Sequence, residues 1–307
     1  MQKKRSNTDK NKELLERIFI PNGNIAFLDA EFNAGLNHRT GERTNDIISI
    51  GLVICDWNYK PIKKFYSLVK PVNDIPIYSM ISKMTGITDE MLEGQPNFVE
   101  VSDKITELVK KNNVKEIFTW GASDQHSLMQ EKTNIKLKKI EGYQRASKWN
   151  YITMCTDISG AISGGMLGIK GGLSINMENL LFVCNIDKKQ EHNAYTDAKN
   201  LYLCMNYLRE QYPLKTASRS FRRKIEMVNK YYQERSTYNS FRRFRSTSKG
   251  CDLYNKWDMD MAERDIRIKA LWDDIKFLKG EIPYETEFAT IQEYFDLCKD
   301  KDGNKSN

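Results

Sequence analysis

Two acidic residues separated by one alanine follow the first apolar segment of the chain. The run at 25–28 is short and apolar, which is typical of a buried strand, and Asp29 and Glu31 come directly after it. Because side chains alternate along a strand, the two carboxylates point to the same face. Adjacent carboxylates repel each other and usually need a cation between them. Their oxygens suit Mg²⁺ or Mn²⁺ better than zinc, so the pair indicates a metal site; a polar strand end is the alternative interpretation.

A third carboxylate follows another strand-like run at 116–120. Ser123 can cap a helix that continues through Gln130, which would place Asp124 in the first helical turn. The positive end of the helix dipole keeps a carboxylate ionised at that position. A routine aspartate at a helix start has the same pattern, so this motif acquires meaning only beside the other acidic residues.

A histidine and an aspartate five positions apart form the third motif. Side chains five apart within a regular helix diverge by about 140°, so they cannot share one site from inside it. His192 and Asp197 can do so if His192 precedes the helix, and Asn193 is a suitable N-cap for that arrangement. The other two histidines, His38 and His126, have no acidic neighbour placed in this way.

The segments around these motifs predict an α/β domain. Five of them are strand-like: 25–28, 46–55, 64–70, 116–120 and 150–155. Four have helical spacing or a helix cap: 98–111, 123–130, 174–181 (capped by Ser174) and 194–212. The glycine-rich segment 160–172 is expected to be a loop. Three antiparallel strands followed by alternating strands and helices predict a mixed sheet with flanking helices.

The composition of the 307-residue chain, 40% hydrophobic and 29% charged, is that of a soluble globular protein. No run of eighteen apolar residues occurs, so no membrane-spanning helix is predicted. A polar stretch follows the basic N-terminus where a signal peptide needs an apolar core, and we therefore expect a cytoplasmic protein. The six cysteines are spread singly, which indicates buried thiols of a reducing compartment rather than a zinc ribbon.

Positive charge is concentrated after residue 215, where no strand pattern continues. Residues 219–250 contain ten lysines and arginines against two glutamates, in a chain of net charge +7. Four of these cations are candidate substrate-binding residues: Arg222, Arg223, Arg242 and Arg243. Cations bind phosphates, and the interleaved aromatic residues can stack on single-stranded bases. A solvated helix whose aromatic side chains pack on the preceding domain is the alternative.

Taken together and in order, the motifs resemble the DEDDh exonuclease family of the ribonuclease H-like superfamily. Asp-x-Glu, the strand-end aspartate and the His-x-Ala-x-x-Asp of 192–197 match in order and spacing, and the segment 84–90 looks like that family's TGIT loop. Thr-Trp-Gly-x-x-Asp at 119–124 and Val-Lys-Pro at 69–71 look most like the Eri-type subgroup, which includes the histone messenger exonucleases. The resemblance covers about 24–212. It departs at Asn33, where many members carry threonine.

The resemblance implies a ribonuclease H-like fold with a five-strand mixed sheet. It would bring Asp29, Glu31, Asp124 and Asp197 together around two Mg²⁺ (or Mn²⁺) ions. His192 would act as the general base, a role that suits imidazole at neutral pH. The implied reaction is stepwise hydrolysis from the 3′ end of single-stranded nucleic acid, which releases nucleoside monophosphates.

The same resemblance makes Phe32, Met84 and Ile87 candidates for contact with the terminal nucleotide, with core packing as the alternative. The Eri-type details favour RNA over DNA. A DNA exonuclease of the proofreading or repair type is the alternative, and so is a non-catalytic nucleic-acid-binding regulatory protein. We expect three parts: a polar arm at 1–23 (flexible or a short helix), the exonuclease domain at 24–214, and a basic, mostly helical region at 215–307.

Overall fold

The computed structural model describes most of the chain. Its described residues are 7–36, 43–73, 75–169, 173–187, 192–214, 217–245, 264, 266–273 and 275–276. Five strands form one sheet: β1 (Asn24–Leu36), β2 (Arg43–Cys55), β3 (Pro61–Leu68), β4 (Val114–Thr119) and β5 (Thr156–Asp157). Their order is β3-β2-β1-β4-β5, antiparallel for the first three and parallel from β1 to β5. The predicted mixed five-strand sheet is thereby confirmed.

Helices cover both faces of this sheet. In the described part they are α1 (Asn7–Phe19), α2 (Ser79–Thr85), α3 (Asp89–Leu92), α4 (Phe98–Lys111), α5 (Ala122–Leu137), α6 (Asn150–Thr153), α7 (Met177–Val183), α8 (Ala194–Glu210) and α9 (Arg219–Arg245). A 3₁₀ turn at Tyr143–Trp149 and a π-helical turn at Ala161–Met166 add to them. None of the described helices is long and apolar enough to cross a membrane.

The alternation of side chains along β1 decides where its acidic residues point. Ile25 and Phe27 pack in the core that contains α8, whereas Ala26 and Leu28 pack in the core on the opposite face with α4 and α5. Continuing this alternation places Asp29 and Glu31 on the α8 face. A bulge in the pairing of β1 with β2 follows directly after Glu31 and interrupts the alternation there.

The sequence prediction was wrong for the segment 150–155, which we expected to be a strand. Residues 150–153 form the helical turn α6, and the fifth strand is only Thr156–Asp157, paired with the end of β4. The turn buries Ile152 beside Trp149, whose indole donates a hydrogen bond to Asp103 (2.8 Å). A segment this short fits a helical turn as well as a strand, so its periodicity could not decide between them.

Three smaller expectations also differ from the structure. The loop expected at 160–172 includes a π-helical turn that buries Ile162 and Met166, although residues 170–172 lie outside the described part. Helix α5 starts after Gly121 rather than Ser123. Helix α7 is capped by Asn176, not Ser174, and the Asn176 side chain accepts a hydrogen bond from the backbone N–H of Asn179 (2.9 Å).

Both flanking segments pack on the sheet domain. Helix α1 buries Leu15, Ile18 and Phe19 in the α8-side core, so residues 7–19 are the short helix that was one of the two alternatives. Helix α9 is one long helix whose aromatic residues Phe221 and Tyr232 lie in the same core. The division into arm, domain and basic region stays a proposal.

Candidate active site

Three carboxylates converge where β1 meets the start of α8. Asp29 and Glu31 come from β1 and Asp197 from the first turn of α8, and one ligand oxygen of each lies within 4.8 Å of the others. Glu31 is buried, whereas Asp29 and Asp197 keep part of their surface exposed. The cluster is therefore reachable from solvent, although protein atoms surround most of it.

Asp124 completes the acidic set from the other side of β1. It lies in the first turn of α5, as predicted, and only 3% of its surface is exposed. Its Oδ1 accepts a hydrogen bond from the backbone N–H of Ala30 (3.1 Å), the residue between Asp29 and Glu31. This bond fixes the start of α5 to the acidic end of β1.

His192 precedes α8, as the sequence predicted. Its backbone N–H donates to Asp197 Oδ2 (3.0 Å), and Asn193 caps the helix by accepting from the backbone N–H of Thr196 (3.1 Å). His192 is exposed and has φ 59°, a left-handed conformation that is uncommon outside glycine. Such strain at a residue held by neighbouring bonds is often found at functional sites.

Burial and mutual repulsion raise the pKa values of the acidic cluster. The pKa of Asp29 lies well above its usual range because of desolvation, followed by the charges of Asp124, Asp197 and Glu31. Desolvation and the charge of Asp197 raise the pKa of Glu31 to about 7. Desolvation also raises the pKa of Asp124 to about 7, against the opposing bond from Ala30, so burial outweighs the effect of the helix start that the sequence led us to expect. A set of carboxylates that cannot all ionise together suits a divalent cation, whose charge would stabilise them.

The melting temperature of the metal-free protein is expected to fall as the pH rises from 5 to 8. Glu31 and Asp124 have raised pKa values in the folded state, so the folded chain holds protons that the unfolded chain releases. Their contribution to stability is present below the usual carboxyl range and is lost as the pH rises through about 7.

Thermal melts in EDTA and in saturating Mg²⁺ across this pH range test the expectation. Bound metal should reduce the fall, because it stabilises the ionised carboxylates. Glu131 lies outside the cluster, and its pKa, raised to about 8, contributes with the same sign. The difference between the two series therefore reports on the cluster. Identical slopes with and without Mg²⁺ would contradict the interpretation.

One feature beside the acidic cluster was not predicted from the sequence: a row of three residues paired across β1, β2 and β3. In the strand register Asp29 pairs with Gly51, which pairs with Tyr66 on β3. The backbone of Ala194 and Tyr195, at the start of α8, lies directly on Gly51, where a Cβ would overlap it. A glycine inside a β-branched strand was the available signal, because it marks a close backbone approach.

The three predicted nucleotide contacts lie in different environments. Ile87 is buried in a small core with Ile48 and Leu92, and Phe32 packs partly buried against the α5-side core. Met84, on α2, is 41% exposed. Contact with a nucleotide stays a prediction for all three, and for Ile87 the structure also shows the core packing that was its alternative.

The predicted arginines all lie in α9. Arg222 and Arg223 are exposed near its start, while Arg242 and Arg243 are helical residues whose side chains lie outside the described part. Phe221 contacts the ring of Tyr207 (5.7 Å between centroids) in the second half of α8, away from the acidic cluster. A role of these arginines in substrate binding stays a prediction.

A family model described as "Exonuclease" (RNase_T) matches residues 26–205, which is more than half of the chain. The match includes Asp29, Glu31, Asp124, His192 and Asp197. No curated protein sequence matches the chain.

Solved nuclease structures resemble this one at low sequence identity. The nuclease domain of 3′hExo, a DEDDh family member bound to rAMP, is 15% identical (TM-score 0.44), with 61% of this chain and 92% of that chain covered. Cell-death related nuclease 4 is 15% identical (TM-score 0.44), with 62% and 64% covered. E. coli exonuclease I in complex with a dT13 oligonucleotide is 18% identical (TM-score 0.46), with 62% and 42% covered. The present chain thus spans less than two thirds of the last two proteins.

Proposed function

The chain belongs to the exonuclease family RNase_T, and from this premise we propose that it is a metal-dependent 3′-to-5′ exonuclease. It would hydrolyse single-stranded nucleic acid from the 3′ end and release nucleoside monophosphates. The observation that supports this proposal best is that carboxylate oxygens of Asp29, Glu31 and Asp197 lie within 4.8 Å of one another. Asp124 is hydrogen-bonded to the backbone of β1 between the first two. The non-catalytic alternative is disfavoured, because each acidic residue and the histidine of the expected set are present.

The donors of the acidic cluster are carboxylate oxygens, which fit Mg²⁺ or Mn²⁺, and we propose that the cluster holds two such ions. Asp29, Glu31, Asp124 and Asp197 would hold them. When bound, such cations supply Lewis-acid stabilisation of charge on the phosphate and on the leaving 3′ oxygen.

His192 is the proposed general base. It is exposed, next to the acidic cluster, and its backbone is fixed by Asp197 at 3.0 Å. Its imidazole would accept a proton from the attacking water while that water adds to the scissile phosphate. Asp197 would therefore have two roles, as a cation ligand and as the residue that positions the histidine.

RNA is the favoured substrate, because the Thr-Trp-Gly and Lys-Pro motifs resemble the Eri-type subgroup. DNA is the close alternative. Phe32, Met84 and Ile87 are the proposed contacts to the terminal nucleotide, and of these Met84 has the most accessible side chain. The predicted cytoplasmic location belongs to the same proposal.

The proposal is tested with 5′-labelled single-stranded RNA and DNA of matched sequence, incubated with Mg²⁺, Mn²⁺ or EDTA. We expect a ladder that shortens from the 3′ end in the presence of metal and does not form in EDTA. The relative rates on the two strands decide the sugar preference. Cleavage in EDTA, shortening from the 5′ end, or binding of either strand without cleavage would each refute the proposed activity.

A carboxyl outside the cluster provides the matched control. Glu131 lies two turns beyond Asp124 on α5 and is 1% exposed. The Glu131→Gln variant removes one buried carboxylate without changing the cluster, so it should cleave at the wild-type rate. Asp29→Asn removes a carboxylate of the cluster and should be inactive.

A further inference from the structure

The long helix α9 packs on the domain through one face of its first half, and the residue types along that face change in its second half. In its first half this face is apolar and buried, through Phe221, Ile225, Val228, Tyr231 and Tyr232. At 3.6 residues per turn, positions 235, 242 and 243 fall on the same side of the helix. All three are arginines. The side that anchors the helix therefore becomes cationic after Tyr232.

The path of α9 leads from the far end of α8 towards the acidic edge of the sheet. Near its start, Phe221 contacts Tyr207, ten residues beyond Asp197 on α8 and so about 15 Å along that helix. Three turns later, the hydroxyl of Tyr232 accepts a hydrogen bond from the backbone N–H of Asn176 (2.9 Å).

Asn176 lies next to a residue that is hydrogen-bonded to the end of β4, the strand that precedes Asp124. The carbonyl of Ile175, its neighbour, accepts a hydrogen bond from the indole of Trp120 (3.2 Å). Because Phe27 pairs with Phe118 in the parallel register of β1 and β4, Trp120 lies at the level of Asp29. Tyr232 is therefore linked, through Asn176, Ile175 and Trp120, to the end of the sheet at which the acidic cluster lies. The remaining residues of α9, 233–245, add about 20 Å of helix from that point.

We propose that residues 233–245 form a basic arm that binds phosphates of the single strand upstream of the 3′ end held at the acidic cluster. This inference rests on the proposed exonuclease function. The arm contains four arginines and one acid, Glu234, whose carboxylate is paired with Arg264 at 2.9 Å. The guanidinium of Arg235 is exposed at the start of the arm and donates to the hydroxyl of Tyr231 (3.1 Å). A strand whose last phosphate lies at the cluster would place its preceding phosphates within reach of this charge.

The arm predicts that activity depends on substrate length. A dinucleotide fills only the catalytic cluster, whereas a 20-nucleotide strand also contacts the arm. The arm variant Arg242→Gln/Arg243→Gln should raise KM for the 20-mer about tenfold and leave the dinucleotide unchanged. Its affinity for the 20-mer should also depend less on salt, with the log–log slope reduced by about 1.4 for two lost contacts to a single strand.

The matched control removes two charges from the other side of the same helix. Arg219 and Lys230 are exposed and have no ion-pair partner among the described residues, and helical spacing places them opposite the anchoring face. The variant Arg219→Gln/Lys230→Gln should change KM less than twofold. Thermal melts of both variants confirm that α9 remains folded.

Two further results would overturn the proposal, and one measurement separates it from the proposed function. Equal losses in both variants would show a general effect of net charge, and unchanged 20-mer kinetics in the arm variant would show that no contact exists. Binding of a labelled 20-mer in EDTA, followed by fluorescence anisotropy, reports on the arm without cleavage. If the wild type binds through the arm but never cleaves, the proposed activity fails while the arm stands.

Discussion

Replacing Asp29 with asparagine is expected to abolish cleavage and, in the absence of metal, to raise the melting temperature. Asp29 lies at the centre of the repulsion, because Asp124, Asp197 and Glu31 all raise its pKa in addition to burial. An amide of the same shape removes one ionisable carboxyl from this group, so the folded state no longer bears the repulsion or the proton uptake that this carboxyl causes. Relief of about 1 kcal/mol corresponds to about 2–4 °C in a chain of this size. Functional sites commonly sacrifice stability in this way.

The loss of activity should be about 10³-fold, the upper end of the range observed when a group that stabilises transition-state charge is removed. Thermal melts with and without Mg²⁺ measure the other half of the prediction. Wild-type protein should gain stability from Mg²⁺, whereas Asp29→Asn should gain little because one of the proposed cation ligands is missing. If the variant melts below wild type in EDTA, or keeps the full Mg²⁺ response, the interpretation of Asp29 as the central carboxylate of the cluster is contradicted.

Glu131→Gln separates the loss of buried charge from the loss of a metal ligand. Burial, followed by the charge of Asp46, raises the pKa of Glu131 to about 8. Neutralising it should therefore stabilise the metal-free protein as well. The Glu131→Gln variant should keep the wild-type Mg²⁺ response and cleavage rate. A carboxylate therefore belongs to the cluster only if its replacement both stabilises the metal-free protein and abolishes cleavage.

The sequence could predict the acidic site because each of its pieces is set by local rules. Alternation along β1 determines that Asp29 and Glu31 share a face, and the structure shows this face to be the one covered by α8. The capping preference of asparagine determines that His192 lies outside the helix and Asp197 inside it. The remaining step, that these pieces meet, came from their order and spacing in a known family.

What the sequence could not predict depends on contacts between distant segments. The run at 150–155 mixes polar and apolar residues, and only the packing of Trp149 and Ile152 against α4 and α5 makes it a helical turn. The aromatic residues of α9 could equally have bound nucleic acid or the domain, and burial of Phe221 and Tyr232 shows the second for these two. No local pattern distinguishes these outcomes, because the partner surface is formed by residues far along the chain.

The contact at Gly51 is of the same kind, and its loss should have the second largest effect. In Gly51→Ala the new Cβ would overlap the carbonyl of Ala194 and the backbone nitrogen of Tyr195, far inside the 3.0 Å that real Cβ atoms keep. Backbone atoms cannot rotate away as a side chain can, so the start of α8 must move off the sheet. Asp197 and His192 move with it, away from Asp29, the direct strand partner of Gly51.

The rate should fall about 10²-fold, because a displacement of about 1 Å at a catalytic group costs this much. Overpacking of this kind also destabilises the fold by about 1–3 kcal/mol. Gly160→Ala is the matched control, since Gly160 has helical angles (φ −68°, ψ −41°) and open space where its Cβ would lie. The kcat, the melting temperature and the Mg²⁺ response of both variants test this prediction. If Gly51→Ala loses stability but keeps its kcat, the close contact of α8 with β2 serves only the fold. If it loses both its kcat and its Mg²⁺ response, Gly51 is the residue through which the sheet sets the distance between Asp29 and Asp197.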